Sequence, residues 1–338
     1  MSVRAPVGPI NFATQEICIG RGLAAIRATS EIDKEFLYYA LLFKQPEIKG
    51  NEGAVFSSIN KNEIERIEVP LPSLLDQKRI VAILDEAFAG IETSIANTEK
   101  NLANARELFE SCVKKECGLG VADWPETALG DIVDLLTGFA FKSNQYTNEE
   151  NSIRLLRGDN IIPGQLRWEN VKRWSSADIA PYDRYLLDEG DIVLAMDRTW
   201  IKSGIKCAQI RSEDLPCLLV QRVARLRASQ CTRSGFLKYV IFSKSFEDYV
   251  LSIQTGLGVP HISGGQISEF RFPCPPIEEQ ITIAEQLDSM SSDISRLTST
   301  YQRKLDSLGE LKQSVLQKAF SGELTADRAA REVESATA

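Results

Sequence analysis

Residues 70–117 read PLPSLLDQKRIVAILDEAFAGIETSIANTEKNLANARELFESCVKKEC, and residues 273–320 read PCPPIEEQITIAEQLDSMSSDISRLTSTYQRKLDSLGELKQSVLQKAF. Displaced by 203 positions without a gap, Pro70 falls on Pro273, Pro72 on Pro275, Gln77 on Gln280, Leu84 on Leu287, Asp85 on Asp288, Leu102 on Leu305, Leu108 on Leu311 and Lys115 on Lys318. The register reaches back to Ile59 on Ile262 and Ile64 on Ile267. At a displacement of 200, a weaker match sets Leu23-Ala24 on Val223-Ala224, Arg27-Ala28 on Arg227-Ala228 and Phe36-Leu37 on Phe236-Leu237. The chain is one unit written twice.

Each quoted stretch predicts a long helix. Leu84, Phe88, Ile91, Ile95, Thr98, Leu102, Ala105, Phe109 and Cys112 advance by alternating steps of four and three, the heptad spacing that lays one apolar seam along a coiled-coil helix. Leu287, Ile294, Tyr301, Leu305, Leu308 and Val315 follow the same template, diluted by Ser291 and Thr298. Neither seam is complete alone, so the two helices are expected to pack on each other. Prolines mark both starts, because proline fits the first turn of a helix and not its interior. Asp76, Glu278 and Glu279 follow, where negative charge favours the positive end of the helix dipole. Leu75 to Cys117 would span roughly 64 Å at about 1.5 Å per residue. That length suits a spacer between two modules, and equally a bundle helix with no measuring role.

Outward from the helices the two copies differ in extent. About 75 residues, from Trp124 to roughly Arg198, precede the point of the second copy that matches Met1, and the first copy has no counterpart for them. Asp191–Met196 and Leu218–Leu226 are β-rich runs, and Glu16–Ala28 is the first-copy equivalent of the latter. Gly235–Phe242 and Glu35–Leu42 read as amphipathic helices, with turn signals at Arg157-Gly-Asp-Asn160 and Pro163-Gly164. The segments outside the helices are expected to be compact α/β modules.

The composition is that of an ordinary globular protein: 338 residues, 43% hydrophobic and 25% charged. A net charge of -8 argues at first against nucleic acid, since phosphate affinity comes mainly from Lys and Arg. Its distribution argues otherwise. Residues 124–276 hold 18 basic and 18 acidic residues, and Arg198–Arg233 holds eight basic against two acidic. A basic stretch on a neutral module is the electrostatic footprint of a phosphate-contacting face. Within it Arg222, Arg225 and Arg227 read as an exposed strand edge, whereas Arg198-Thr-Trp-Ile-Lys202 joins cations to an aromatic in a loop.

Catalysis has little to stand on. The one histidine, His261, supports neither a multi-histidine metal site nor a choice of catalytic triads. Neither G-x-x-x-x-G-K-[ST] nor a G-x-G-x-x-G strand-turn-helix is present, and Cys274-Pro275-Pro276-Ile277 lacks the amide and the aromatic of the amino-methyltransferase motif. The 7 cysteines contain no C-x-x-C pair and read as reduced. No apolar run approaches the roughly 20 residues of a membrane helix, and no signal-peptide core follows Met1, so a soluble cytoplasmic protein is expected.

The second copy carries Gly138-Phe-Ala-Phe-Lys-Ser143 before Tyr146, Leu156-Arg-Gly-Asp-Asn-Ile161, Gly190-Asp-Ile-Val-Leu194, Met196-Asp-Arg-Thr-Trp200 and Leu219-Val-Gln-Arg-Val223. It resembles a target-recognition domain of the type I restriction-modification specificity subunits. The proline-rich start, Glu279-Gln280 and the close Ala319-Phe-Ser-Gly-Glu-Leu324 resemble that family's conserved helical region. Ser2-Val-Arg-Ala-Pro-Val-Gly8 and Cys18-Ile-Gly-Arg-Gly-Leu-Ala24 resemble the second half of another recognition domain, without its first half.

The resemblance implies α/β (α+β) recognition modules joined by two long helices packed as an antiparallel coiled coil. Residues 1–73 would be the C-terminal half of a first recognition domain, 74–118 a first helix, 119–276 a complete second domain, 277–321 a second helix and 322–338 a flexible tail. It implies a non-catalytic reader of double-stranded DNA, with each domain taking half of a split site. Two methyltransferase subunits would dock on the helices and carry the S-adenosylmethionine, and a restriction subunit would join them; no cofactor is expected in this chain. The alternative is a truncated or degenerate subunit acting only as a helical scaffold, and a self-contained methyltransferase is a third reading. The residues proposed for DNA contact are Lys142, Ser143, Arg157, Asn160, Arg198, Trp200, Lys202 and Lys206. The loop Gly256–Ser263 adds Gly258, His261 and Ser263, its glycines permitting close backbone approach; His261 is as readily a structural loop residue.

Overall fold

The structure, a computed structural model, describes residues 1–48, 51–52, 57–119, 124–149, 151–256 and 259–323. In chain order its elements are α1 Lys34–Lys44, β1 Asn51–Glu52, β2 Ser57–Ser58, α2 Lys61–Ile64, α3 Leu74–Glu116, β3 Glu126–Ala128, α4 Leu129–Ile132, β4 Val133–Thr137, β5 Ile153–Leu156, β6 Ile161–Ile162, β7 Gln165–Leu166, β8 Lys172–Trp174 and β9 Ile192–Ala195. There follow β10 Trp200–Ile201, β11 Gly204–Ile205, β12 Cys207–Gln209, β13 Cys217–Leu219, β14 Val223–Ala228, α5 Ser234–Ile241, α6 Lys244–Ile253, α7 Gly264–Ser268, β15 Arg271–Pro273 and α8 Ile277–Phe320. The chain divides into two units, residues 1–103 with 298–338, and residues 104–297. Both long helices contribute to both units.

In the first unit, α1 starts where the Asp33 carboxylate accepts hydrogen bonds from the backbone of Glu35 and Phe36, satisfying donors that a helix end leaves open. It presses Phe36 and Tyr39 into a core with Leu84, Phe88 and Ile91 of α3 and Leu316 and Ala319 of α8. Here the early turns of α3 meet the late turns of α8, so the helices are antiparallel. Lys312 reaches Glu92 at 3.2 Å and lies over the Phe88 ring. Thr98 enters the seam because its hydroxyl donates to the Ser94 carbonyl one turn back.

The second unit is built on the antiparallel sheet β12-β9-β14-β4. Side chains alternate between its faces with a period of two. Ile192, Leu194, Ala224 and Leu226 point into one core with Phe236, Val240, Ile267 and the helix residues Val113, Cys117, Ile283 and Leu287. Val193, Ala195 and Val223 point into another with Leu156, Ile161 and Leu219. Both faces of β9 are covered, which is why its four residues form an unbroken apolar run. A second sheet, β13-β5-β8, pairs β13 with β5 in parallel and β5 with β8 antiparallel.

The internal repeat is written in hydrogen bonds as well as in sequence. In the first unit the buried Gln77 side chain accepts from the Asp33 amide and donates to the carbonyls of Glu31 and Pro72. In the second, buried Gln280 accepts from the Arg233 amide and donates to the carbonyls of Cys231 and Pro275. Tyr39 donates to Asp85 at 2.6 Å, and Tyr239 donates to Asp288 at the same distance. Burial pushes both phenols up, with the accepting carboxylate adding to it. A buried amide that ties a helix start to the module beside it has no apolar substitute. Gln280→Ala is therefore expected to destabilise the second unit by about 2 kcal/mol, the scale of leaving buried backbone groups unpaired. Urea unfolding with an unchanged m-value would measure it, and a loss within error would refute the role.

Two sequence expectations are corrected here. Leu218–Leu226 is not one strand but two, β13 and β14, broken where Arg222 adopts a positive φ of 64°. Glu16–Ala28, its first-copy counterpart, forms no strand; Leu23 alone makes an isolated bridge, to Ser2. A ladder needs a neighbour, and most of this segment has none. The helices run Leu74–Glu116 and Ile277–Phe320, close to the expected bounds, and their seam residues are buried or half-buried. The expected flexible tail lies, from residue 324 onward, outside the described residues.

Candidate nucleic-acid interface

Three chain segments of the second unit meet at the C-terminal end of β9. The Met196 amide donates to the Arg222 carbonyl, the Ile262 amide to the Met196 carbonyl at 2.9 Å, and the Arg198 amide to the Pro260 carbonyl at 2.7 Å. Asp197 bridges His261, and the Thr255 and His261 backbones exchange hydrogen bonds in both directions. Segments 196–206, 220–222 and 254–263 are thereby sewn together through backbone groups of their described residues.

Two arginines in this knot hold backbone conformations that residues with a Cβ seldom adopt. Arg198 has φ 47° and Arg222 has φ 64°. Such geometry persists where the surroundings over-determine it, and it gathers at functional sites. Arg198 is exposed and Arg222 sits 3.6 Å from Asp197. Beyond them β10 and β11 form a hairpin with Lys202 and Ser203 at its exposed tip. Trp200 is 41% exposed and anchored by its indole N–H on Glu247 at 3.3 Å. Lys206, half-buried after β11, has its pKa pushed down by burial; Asp159 opposes that, and Arg198 and Arg167 add to it. Asp197 also opposes it, and what lowers Lys206 first is lost hydration, which a phosphate at this surface would offset.

The expected contact residues therefore divide. Arg198, Trp200, Lys202, Lys206, His261 and Ser263 come together. The turn of Arg157 and Gly158 is beside them, since a Cβ on Gly158 would lie 3.9 Å from Lys206 Nζ, and the Arg157 Nε is a buried donor with no partner among the described residues. Asn160 is not available to a ligand. It is 2% exposed, its oxygen accepts from the Arg157 amide and its nitrogen donates to the Arg167 carbonyl, so it holds the turn rather than reading from it. Lys142 and Ser143 are exposed elsewhere, and their backbone carbonyls accept from the Gln145 and Tyr146 amides. Ser263 spends its hydroxyl capping α7. Gly258 lies outside the described residues.

The basic stretch also divides. Arg225 and Arg227 are not an exposed strand edge: Arg225 is 4% exposed and paired with Asp134, and Arg227 grips Asp191 with two 2.7 Å bonds. Both serve the fold. Arg222 and Arg167 are what residue order failed to nominate: Arg222 was hidden inside an apparent strand, although the Gln-Arg pair between two apolar runs is a turn signal.

Among the described residues no helix is long and apolar enough to cross a membrane. Residues 1–102 and 122–306 match the family described as Type I restriction modification DNA specificity domain. The chain is 28% identical over 307 residues to the type I restriction enzyme MjaVIII specificity subunit of Methanocaldococcus jannaschii, covering 87% of this chain and 71% of that one. It is 37% identical over 176 residues to the EcoAI specificity subunit of Escherichia coli, covering 52% of this chain and 29% of that one. In fold it is similar to a chain from a study of complex assembly in a type I restriction-modification system, with TM-score 0.70, 19% identity, and coverage of 87% and 73%. The HsdS subunit of Thermoanaerobacter tengcongensis follows, with TM-score 0.54, 21% identity, and coverage of 85% and 70%. The match across more than half of its length, on a twice-written unit of recognition module and long helix, makes this chain a member of the type I restriction-modification DNA specificity family, a family of recognition subunits rather than catalytic ones.

Proposed function

We propose that the second unit reads one half of a bipartite DNA site, and that the two long helices hold methyltransferase subunits which bring S-adenosylmethionine. The observation that carries the reading is the convergence of Arg198, Lys202, Lys206 and Arg222 on one backbone-stitched surface within residues 124–276, a stretch with no net charge. Phosphate contacts from these cations would position the loops, and base edges in the major groove would supply the choice of sequence. Docking on the helices is supported by Leu108 and Leu311, which occupy equivalent positions of the two copies and are 59% and 47% exposed. Large apolar side chains left in water at matched places suit two equivalent partners. A restriction subunit would complete the assembly in the cytoplasm.

Methylation-interference mapping of the chain assembled with its methyltransferase subunits tests this. Interference should cluster in one short block of base pairs, and Arg198→Ala should relax the preference within that block. Binding that ignores sequence would leave the helical-scaffold reading. Titration calorimetry of the chain alone should detect no S-adenosylmethionine binding; uptake would point to the self-contained methyltransferase instead.

A further inference from the structure

We infer that Arg222, held by Asp197, meets a base edge rather than a phosphate, and that it selects a guanine in the half-site taken by the second unit. This rests on the DNA-reading function proposed for that unit and adds to it the residue and the base.

At this knot the internal repeat separates frame from surface. The Met196 amide donates to the Arg222 carbonyl at 2.8 Å, and in the first unit the Val3 amide donates to that of Gly22 at 2.9 Å. The Ile262 amide donates to the Met196 carbonyl as the Ile59 amide donates to that of Val3. Asp197 bridges His261 as Arg4 bridges Ser58. The apolar residues of the frame match, Met196 with Val3 and Ile262 with Ile59. The others do not: Arg222 stands against Gly22, Asp197 against Arg4 and His261 against Ser58. Backbone groups make the joint, and Gly22 shows that it closes without an arginine side chain.

Arginine is also an unfavourable residue for this place. The Val223 amide donates to the Val220 carbonyl at 3.2 Å, closing a turn whose third residue is Arg222. Its φ of 64° is one that glycine adopts freely and a residue with a Cβ does not. Nothing in the fold offsets that strain through the side chain, which is 61% exposed and makes its one ion pair among the described residues with Asp197, at 3.6 Å. An exposed pair of that kind adds little stability. Strained backbone of this sort is kept where the side chain has work outside the fold.

The carboxylate beside it decides what Arg222 meets. Arg198, Lys202 and Lys206 have no ion pair among the described residues, and each is free to face a phosphate. A phosphate brought to Arg222 would be brought to Asp197 as well, and like charges at that range repel. A base edge carries no net charge. Asp197 holds Arg222 through Nε, so both terminal nitrogens of the fork remain for a planar pair of acceptors. In the major groove that pair is O6 and N7 of guanine. His261 is committed to its own loop, its ring nitrogens lying 3.3 Å from the Val259 carbonyl and 3.4 Å from the Thr255 hydroxyl.

The test uses the chain assembled with its methyltransferase subunits and a pool of duplexes carrying a randomised block. The wild type should select a guanine at one position. Replacing that guanine by 7-deazaguanine, which removes the N7 acceptor and keeps Watson–Crick pairing, should weaken binding about tenfold. Arg222→Gly should accept all four bases there, ignore the 7-deaza substitution, keep the preferences at other positions, and unfold at the same temperature or higher. Arg222→Lys, which keeps the charge and loses the fork, should retain the wild-type salt slope while losing most of the preference. If Arg222→Gly weakens all sequences alike and makes the salt slope shallower by about 1, Arg222 meets a phosphate and the inference is overturned with the DNA-reading function intact. An unchanged preference would overturn it equally, as would earlier unfolding of Arg222→Gly, which would give the side chain to the fold. A wild-type complex that selects no sequence would overturn both the DNA-reading function and this inference.

Discussion

Lys202→Glu combined with Lys206→Glu is expected to lower the DNA affinity of the assembled complex by about a hundredfold, and to flatten its dependence on salt. Each lysine that neutralises a phosphate releases a counterion, so log K falls against log salt with a slope of about -0.9 per contact. Losing two contacts should make the slope shallower by roughly 2, with weakening that is uniform across sequences. Lys202 lies at an exposed hairpin tip, so its reversal should leave folding untouched. Lys206 is half-buried, and Lys206→Gln separates loss of charge from the strain of a buried carboxylate. The direction of its pKa shift adds a signature. Because burial holds Lys206 below the ordinary lysine value, its charge is lost sooner as pH rises. Its contribution to affinity should then fade on the alkaline side, and Lys206→Gln should remove that component. Affinity and salt slope both unchanged in the double variant would remove loop 196–206 from the interface.

The second large effect concerns stability. Asp191 is 2% exposed, accepts two 2.7 Å bonds from Arg227 and a third from the Asp188 amide, and sits where β9 begins. Asp191→Ala strands a guanidinium and an amide in a partly dry site. Breaking a buried pair from one side costs about 3 to 5 kcal/mol, and since Asp188 still reaches Arg227 the lower figure is expected. For a unit of this size that is roughly a 6 to 12 °C fall in Tm. Replacing both partners, Asp191→Leu with Arg227→Met, should cost less than Asp191→Ala alone, because no buried charge is left without a partner and Asp188, 68% exposed, stays in water. A double variant as unstable as the sum of the singles would show that the two residues act separately. Calorimetry on the full chain resolves it.

Arg227 and Lys206 also show why residue order separated the fold from the site only in part. Both are basic residues in one stretch, read from charge alone as alike. Arg227 faces the base of β9 and meets two carboxylates more than thirty positions earlier; Lys206 follows a hairpin that ends at the surface. Asn160 belongs with Arg227 in this respect. Its turn signal was legible, but the carbonyl that takes its side-chain nitrogen, that of Arg167, comes from across a small β-ladder. No charge count distinguishes a cation facing a carboxylate from one facing water.

By itself the sequence determined the repeat, the two helices and their ends, and the pairing of their seams. Those follow from spacing along a helix, from prolines at its first turn and from an apolar stripe, all of which act between near neighbours. It also placed Gln77 and Gln280 at equivalent positions, though not the three backbone groups each holds. Tertiary structure alone decided which arginines are buried, where the β-run at 218–226 breaks, and that residues 16–28 remain without a sheet while their repeat mates lie at the centre of one. A strand is held by hydrogen bonds to a neighbour that can lie anywhere in a chain or outside it. Equivalent positions of the repeat are therefore core in one unit and exposed in the other, according to whether the described residues supply that neighbour.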